Sequence, residues 1–117
     1  MATDSPPWRA LAELGMAICS EQLGTAALKA ASSSASPLFL VLSISGYVSA
    51  IAWFGRSLRE LPMGLAYGLW VALGMASSVL VGVVVFGEVM VWSRYLGLAA
   101  IAAGALLLVT APGAMRP

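Results

Sequence analysis

One ionisable side chain lies in the middle of a segment that otherwise has the composition of a membrane helix. Glu21, within AICSEQLGTAALK at residues 17–29, is flanked by apolar and small residues. A carboxyl group placed inside a bilayer costs about 2.5 kcal/mol or more, and such groups usually bind protons or ions. The sequence therefore predicts that Glu21 binds a ligand that offsets this cost, and a proton or a cation has the required charge.

Small side chains share the predicted helix face of this glutamate. Ala17, Gly24 and Thr25 lie four residues before it, three after it and four after it, so they leave space beside the carboxyl group. A competing interpretation is structural: Glu21 is neutralised by protonation, or it pairs with Lys29 and ties two helices together. Lys29 is eight residues away, near the expected helix end, where its side chain can reach the membrane surface.

Two aromatic rings occur at helical spacing in the third apolar stretch. Tyr67, Trp70 and Gly74 follow one another at intervals of three and four residues, and Tyr47 in the second stretch offers a third ring. Aromatic faces attract cations through their quadrupoles. A carboxylate opposite such rings would suit an apolar cation, although aromatic residues at this spacing are also common in ordinary helix packing.

Composition defines the class of the protein. Of the 117 residues, 61% are hydrophobic and only 9% are charged, against roughly 25% charged in soluble domains. The chain is therefore predicted to be an integral membrane protein. A net charge of +1 without a basic run argues against nucleic-acid binding. With no histidine and one cysteine, Cys19, the chain lacks the ligands of a transition-metal site, and Cys19 is expected to be a small buried residue.

The distribution of charges predicts four membrane helices. Three stretches without charged residues exceed the roughly 20 residues needed to cross a bilayer. A fourth stretch is interrupted only by Glu13 and Glu21. The prediction is an all-α protein with one four-helix transmembrane domain over residues 1–117 and approximate spans 9–29, 37–55, 61–87 and 94–112. Its short loops, including ASSSASP at 31–37, leave no room for a soluble catalytic module, so an enzyme is not expected.

Four segments resemble, in order, the small multidrug resistance family of bacterial proton-coupled exporters. They are SEQLGTAALK at 20–29, LPMGLAYGLW at 61–70, FGE at 86–88 and GLAAIAAG at 97–104. The resemblance covers about residues 11–110. It implies a multi-pass protein of the bacterial inner membrane that exchanges protons for hydrophobic or quaternary cations. It also implies a dimer, often of oppositely inserted protomers, that uses the proton gradient and no cofactor.

The resemblance also assigns residues. In the family a membrane-embedded glutamate binds both proton and substrate, and Glu21 matches it. The family's small neighbours and substrate-facing aromatics match Ala17, Gly24, Thr25, Tyr47, Tyr67 and Trp70. Family members dimerise through glycines seven residues apart in the fourth helix, which match Gly97 and Gly104, with Ala100 between them on the same small-residue ridge. Gly74 matches a hinge glycine of the third helix.

Some residues depart from the family pattern. Ala72 stands where another hinge glycine is common, and Gln22 replaces the usual branched apolar residue after the glutamate. Because Gln22 points about 100° away from Glu21 on a helix, we interpret it as a hydrogen-bonding group at a helix interface. The alternative is that it tunes the site indirectly, and the sequence leaves its role open.

Other functions compete with this prediction. One is a subunit of a paired heterodimeric exporter of polyamines or other cationic metabolites, with a homologous chain as partner in place of a homodimer. A guanidinium exporter is less favoured, because bulky residues would be expected where Gly24 and Thr25 stand. Outside transport, the alternative is a small structural subunit of a membrane complex, in which Glu21 would be an assembly contact.

Overall fold

A computed structural model describes residues 7–116, and this part of the chain contains four consecutive α-helices. They are α1 (Trp8–Ser34), α2 (Pro37–Ser57), α3 (Met63–Phe86) and α4 (Trp92–Thr110). By length and composition, three of the described helices can cross a membrane: α2, α3 and α4, with mean hydropathies of 1.8, 2.3 and 1.6. The fold is thus all-helical with at least three candidate membrane spans.

The connection between α1 and α2 is shorter than the sequence suggested. The segment at 31–37 was expected to be a loop, but α1 continues to Ser34, since serine hydroxyls bond to carbonyl groups within their own helix. Ser34 Oγ donates to Ala30 O at 2.8 Å. The chain reverses at Ala35, whose φ of 53° is left-handed, and Pro37 begins α2 at the first helical position, where its fixed φ is favourable.

Helices α1 and α2 form a closely packed antiparallel pair. Gly24 and Gly46 meet at their crossing, where a Cβ built on Gly46 would lie 2.7 Å from Gly24 N. Only glycine permits this approach of two backbones. A hydrogen bond of 3.2 Å between the Ser20 and Ser49 hydroxyls joins the same two helices.

Helix α3 ends at Phe86 and is capped by Gly87, whose left-handed φ of 66° suits glycine. The next amide, from Glu88, donates to Gly82 O at 3.0 Å and closes the helix end. Helix α4 then packs against α3, and its buried residue Ala105 joins the apolar core around Leu14 and Leu69. The rest of α4 is largely exposed, so one long apolar face of the chain is uncovered in the protomer.

The expectation for Cys19 is wrong, because its side chain is exposed. Its neighbours Ala17 and Ile18 occupy the buried side of α1. Successive helical residues differ in direction by about 100°, so Cys19 points away from the core.

Candidate functional site

A cavity of about 470 Å³ lies between α1, α3 and α4. Its lining includes Glu21 of α1, Ile101 of α4, and Tyr67, Trp70, Gly74 and Ser78 of α3. Apolar side chains of α3 complete the wall. The structure therefore brings together Glu21, the two aromatic residues of the third helix and Gly74, four of the residues singled out in the sequence.

The Glu21 carboxylate lies directly against Gly74. A Cβ placed on Gly74 would be 3.4 Å from Glu21 Oε2, so the carboxylate lies at ordinary contact distance from this position of α3. Within residues 7–116 this carboxylate takes part in no ion pair or hydrogen bond, and its residue is only partly buried. The cavity thus contains an acidic group that is free to bind a proton or a cation.

Glu13 and Lys29, the charged side chains on either side of Glu21 along α1, have partners outside the cavity. Glu13 lies 3.9 Å from Arg56 at one end of the helix. Lys29 donates to Glu88 at 3.2 Å at the other end, and Arg94 approaches the same carboxylate at 3.6 Å. The interpretation that Lys29 pairs with Glu21 is therefore wrong.

Three aromatic rings form a cluster at one end of the cavity. Tyr67 and Trp70 meet edge to face, with centroids 6.1 Å apart and planes at 87°. Phe54 of α2 lies behind them, 4.2 Å from the Trp70 ring and 6.3 Å from the Tyr67 ring. Phe54 packs against both rings. It could not be singled out from the sequence, since an aromatic residue at a predicted span end is typical of the membrane interface.

Tyr47 lies away from this cavity. Its hydroxyl group is 2.8 Å from Thr25 Oγ1, so these two residues form a contact between α1 and α2. Gly24 also packs against α2, since a Cβ built on Gly24 would lie 3.1 Å from Ser43 O. Ala17 is fully buried. Within one protomer, α2 therefore packs against the small residues of α1. The open space beside the Glu21 carboxylate is bordered by α3 and α4 instead.

Gln22 bridges α1 and α3 beside the cavity. Its Nε2 donates to Gly74 O at 3.1 Å, and its Oε1 accepts a hydrogen bond from Ser78 Oγ at 3.2 Å. The prediction that Gln22 forms hydrogen bonds at a helix interface is confirmed. Ser78 was not predicted as a site residue. The one sequence feature that could have indicated it is a hydroxyl side chain in α3, the most apolar of the three candidate membrane spans.

The small residues of α4 are uncovered. Gly97, Ala100 and Gly104 are exposed, and no atom lies within 4 Å of a Cβ built on either glycine. Their side of the helix can therefore accept another helix at close range. Their part in dimerisation stays a prediction.

Together, the three membrane-spanning candidates and the acidic cavity define a small multi-pass membrane protein. Residues 9–101 match the model of the Small Multidrug Resistance protein family. The chain belongs to this family, whose members are membrane transporters and not enzymes.

Individual relatives match over most of their length. The multidrug transporter PA4990 of Pseudomonas aeruginosa is 36% identical over 95 residues, covering 81% of this chain and 86% of the relative. The multidrug resistance protein EbrB of Bacillus subtilis is 31% identical over 100 residues, covering 86% of each chain. A guanidinium exporter of Salmonella typhimurium shares 31% identity over 64 residues, 55% of this chain and 61% of its own. No solved structure matches the chain.

Proposed function

We propose that this protein is a proton-coupled antiporter that exports hydrophobic or quaternary cations across the bacterial inner membrane. The observation that carries the proposal is the Glu21 carboxylate, which faces a largely apolar cavity without a counter-charge among the described residues. A bound cation supplies that charge, while the Tyr67 and Trp70 rings bind its apolar or cationic surface. A bound proton neutralises the same group.

The exchange follows from competition for one carboxylate. A proton and a cationic substrate cannot both occupy Glu21, so protons arriving from outside release substrate on the outside, and substrate binding from inside releases protons on the inside. Net exchange also requires that the empty, ionised site changes its orientation poorly. Gly74 is the proposed hinge of this movement. This glycine lies within α3, and it is in direct contact with the Glu21 carboxylate.

A dimer is part of the proposal. The exposed ridge of Gly97, Ala100 and Gly104 would pair two protomers, which are either two copies of this chain or this chain and a homologous subunit. In such a dimer two copies of Glu21 act on one substrate, and protonation belongs to the pair of carboxylates and not to either one. A contribution of Ala17, Gly24, Thr25 and Tyr47 to the shared site stays a prediction, since in one protomer they are buried or lie in the contact between α1 and α2.

The proposal is tested by binding of tetraphenylphosphonium to the purified full chain in detergent, from mildly acidic to mildly alkaline pH. Affinity should rise with pH, because fewer protons then compete for Glu21, and it should be lost in Glu21→Gln. Glu13→Gln is the matched control: it removes another carboxylate of α1, one that contacts Arg56 and not the cavity. Its binding curve should follow that of the wild type.

Transport provides the second half of the test. In proteoliposomes, an imposed pH gradient should drive accumulation of the cation by the wild-type protein and by Glu13→Gln. If Glu21→Gln still drove proton-coupled transport, the assignment of the shared site would be refuted.

A further inference from the structure

Ser78 is the feature of the cavity that the proposed function does not use. It lines the same cavity as Glu21, on α3, one helical turn beyond Gly74. Gly74 contacts the carboxylate, and the four residues from Gly74 to Ser78 rise about 6 Å along the helix axis. A cation held by Glu21 is therefore within reach of the Ser78 hydroxyl group.

The hydrogen bonds of Gln22 determine whether the Ser78 hydroxyl group acts as a donor or an acceptor towards it. Gly74 O can only accept, so the group facing it must be the amide nitrogen of Gln22. The amide oxygen of Gln22 then faces Ser78, and the Ser78 hydroxyl must donate its one proton to it. The lone pairs of Ser78 Oγ remain free to accept a hydrogen bond from a ligand in the cavity.

We propose that Ser78, oriented by Gln22, is a second acceptor in the substrate site and favours cations that carry N–H groups. Primary amines, secondary amines and guanidinium groups can donate to Glu21 and to Ser78 at once. A quaternary ammonium or phosphonium ion binds Glu21 by charge alone and gains nothing from the hydroxyl group. This inference rests on the proposed function and specifies its substrate class.

Gln22 is a positioning residue in this arrangement. Without its amide, the Ser78 hydroxyl has the carbonyl group of its own helix four residues back as its nearest alternative acceptor, at Gly74. The oxygen would then turn along α3 and present its lone pairs less directly to the cavity.

The experiment compares two probes that differ only in methylation: phenethylammonium and its N,N,N-trimethyl analogue. Their dissociation constants are measured by calorimetry on the purified full chain near neutral pH, where both are cationic, with tetraphenylphosphonium as reference ligand. The measured quantity is the ratio of the two constants. We expect Ser78→Ala to reduce the preference for the primary amine about tenfold, the effect of losing one charge-assisted hydrogen bond, and to leave tetraphenylphosphonium binding unchanged.

Three further variants complete the test. Ser77→Ala removes a neighbouring hydroxyl group that bonds to Leu73 O, so it should leave the ratio as in the wild type. Ser78→Thr keeps the hydroxyl group and should restore the preference. Gln22→Leu should reduce the preference in the same direction as Ser78→Ala, by a smaller factor.

The results separate the two proposals. If the wild type binds tetraphenylphosphonium through Glu21 but Ser78→Ala leaves the ratio unchanged, the role of Ser78 is overturned and the proposed function stands. An unchanged ratio in Gln22→Leu alone overturns the positioning role of Gln22. If the wild type binds none of the three cations, both proposals fail.

Discussion

Replacing Gly46 by alanine should weaken the packing of α1 against α2. The added Cβ would lie 2.7 Å from Gly24 N, 2.8 Å from Gly24 Cα and 2.8 Å from Ser20 O. Contacts between carbon atoms are favourable at about 3.5 to 4.0 Å, so the two helices must separate by about 1 Å. No side-chain rotation relieves the contact, because the three atoms belong to the backbone.

The cost can be worked from the contacts at this crossing. Overpacking of this kind costs about 1 to 3 kcal/mol. Separation also stretches the bond between the Ser20 and Ser49 hydroxyls, already 3.2 Å long, and hydrogen bonds between membrane helices contribute about 0.6 kcal/mol each. The higher helix propensity of alanine compared with glycine offsets about 1 kcal/mol of this cost. The net loss in the free energy of unfolding should be about 0.6 to 2.6 kcal/mol.

Unfolding in mixed detergent micelles, followed by circular dichroism, measures this loss. Gly55→Ala is the matched control, since Gly55 lies on the same helix and a Cβ there meets no atom within 4 Å. The control should be neutral or more stable by up to about 1 kcal/mol. Equal stability of the Gly46→Ala and Gly55→Ala proteins would refute the close crossing of α1 and α2.

Two further substitutions test the cavity and the membrane-surface charges. Gly74→Ala should leave stability unchanged, because its Cβ would make an ordinary contact of 3.4 Å with Glu21 Oε2. The added methyl group fills space beside the carboxylate, so the affinity for tetraphenylphosphonium should fall about tenfold. Unchanged affinity in a binding titration would contradict this. Glu88→Gln removes the partner of Lys29 and Arg94. Because these groups are partly exposed, the substitution should cost about 0.5 kcal/mol of stability in low salt and less in high salt. A loss of several kcal/mol that does not depend on salt would show that the pairs are not surface interactions.

The helices could be predicted because charged residues are so rare in this chain. A charge marks each side of the long apolar stretches, and Gly87 and Pro37 mark a helix end and a helix start in the structure as their backbone preferences require. The end of α1 could not be predicted in the same way. Serine can bond to its own helix or form a turn, and the sequence does not distinguish these outcomes at Ser34.

The part of the site on α3 could be predicted better than the part on α2. Tyr67, Trp70 and Gly74 share one helix stripe, so any rotation of α3 moves them together. Tyr47 and Phe54 are seven residues apart on α2, and the structure places the second of these near the Trp70 ring. Residues seven apart lie on the same side of a helix, about 10 Å apart along its axis. Hydrophobic periodicity therefore does not reveal at which level of α2 an aromatic ring meets α3.

The charges of α1 explain why Glu21 differs from its neighbours. Glu13, Glu21 and Lys29 are eight residues apart, which is about 12 Å along a helix, so the outer two lie towards opposite ends of α1. There Arg56 and Glu88 supply counter-charges, and water is near enough to keep the cost of each charge low. In the proposed transmembrane orientation of α1, only Glu21 is left at the centre of the membrane, where a charge is most expensive and the described chain offers it no partner. A proton or a cationic ligand is then the remaining means of neutralising it, and this is the physical basis of the proposed exchange.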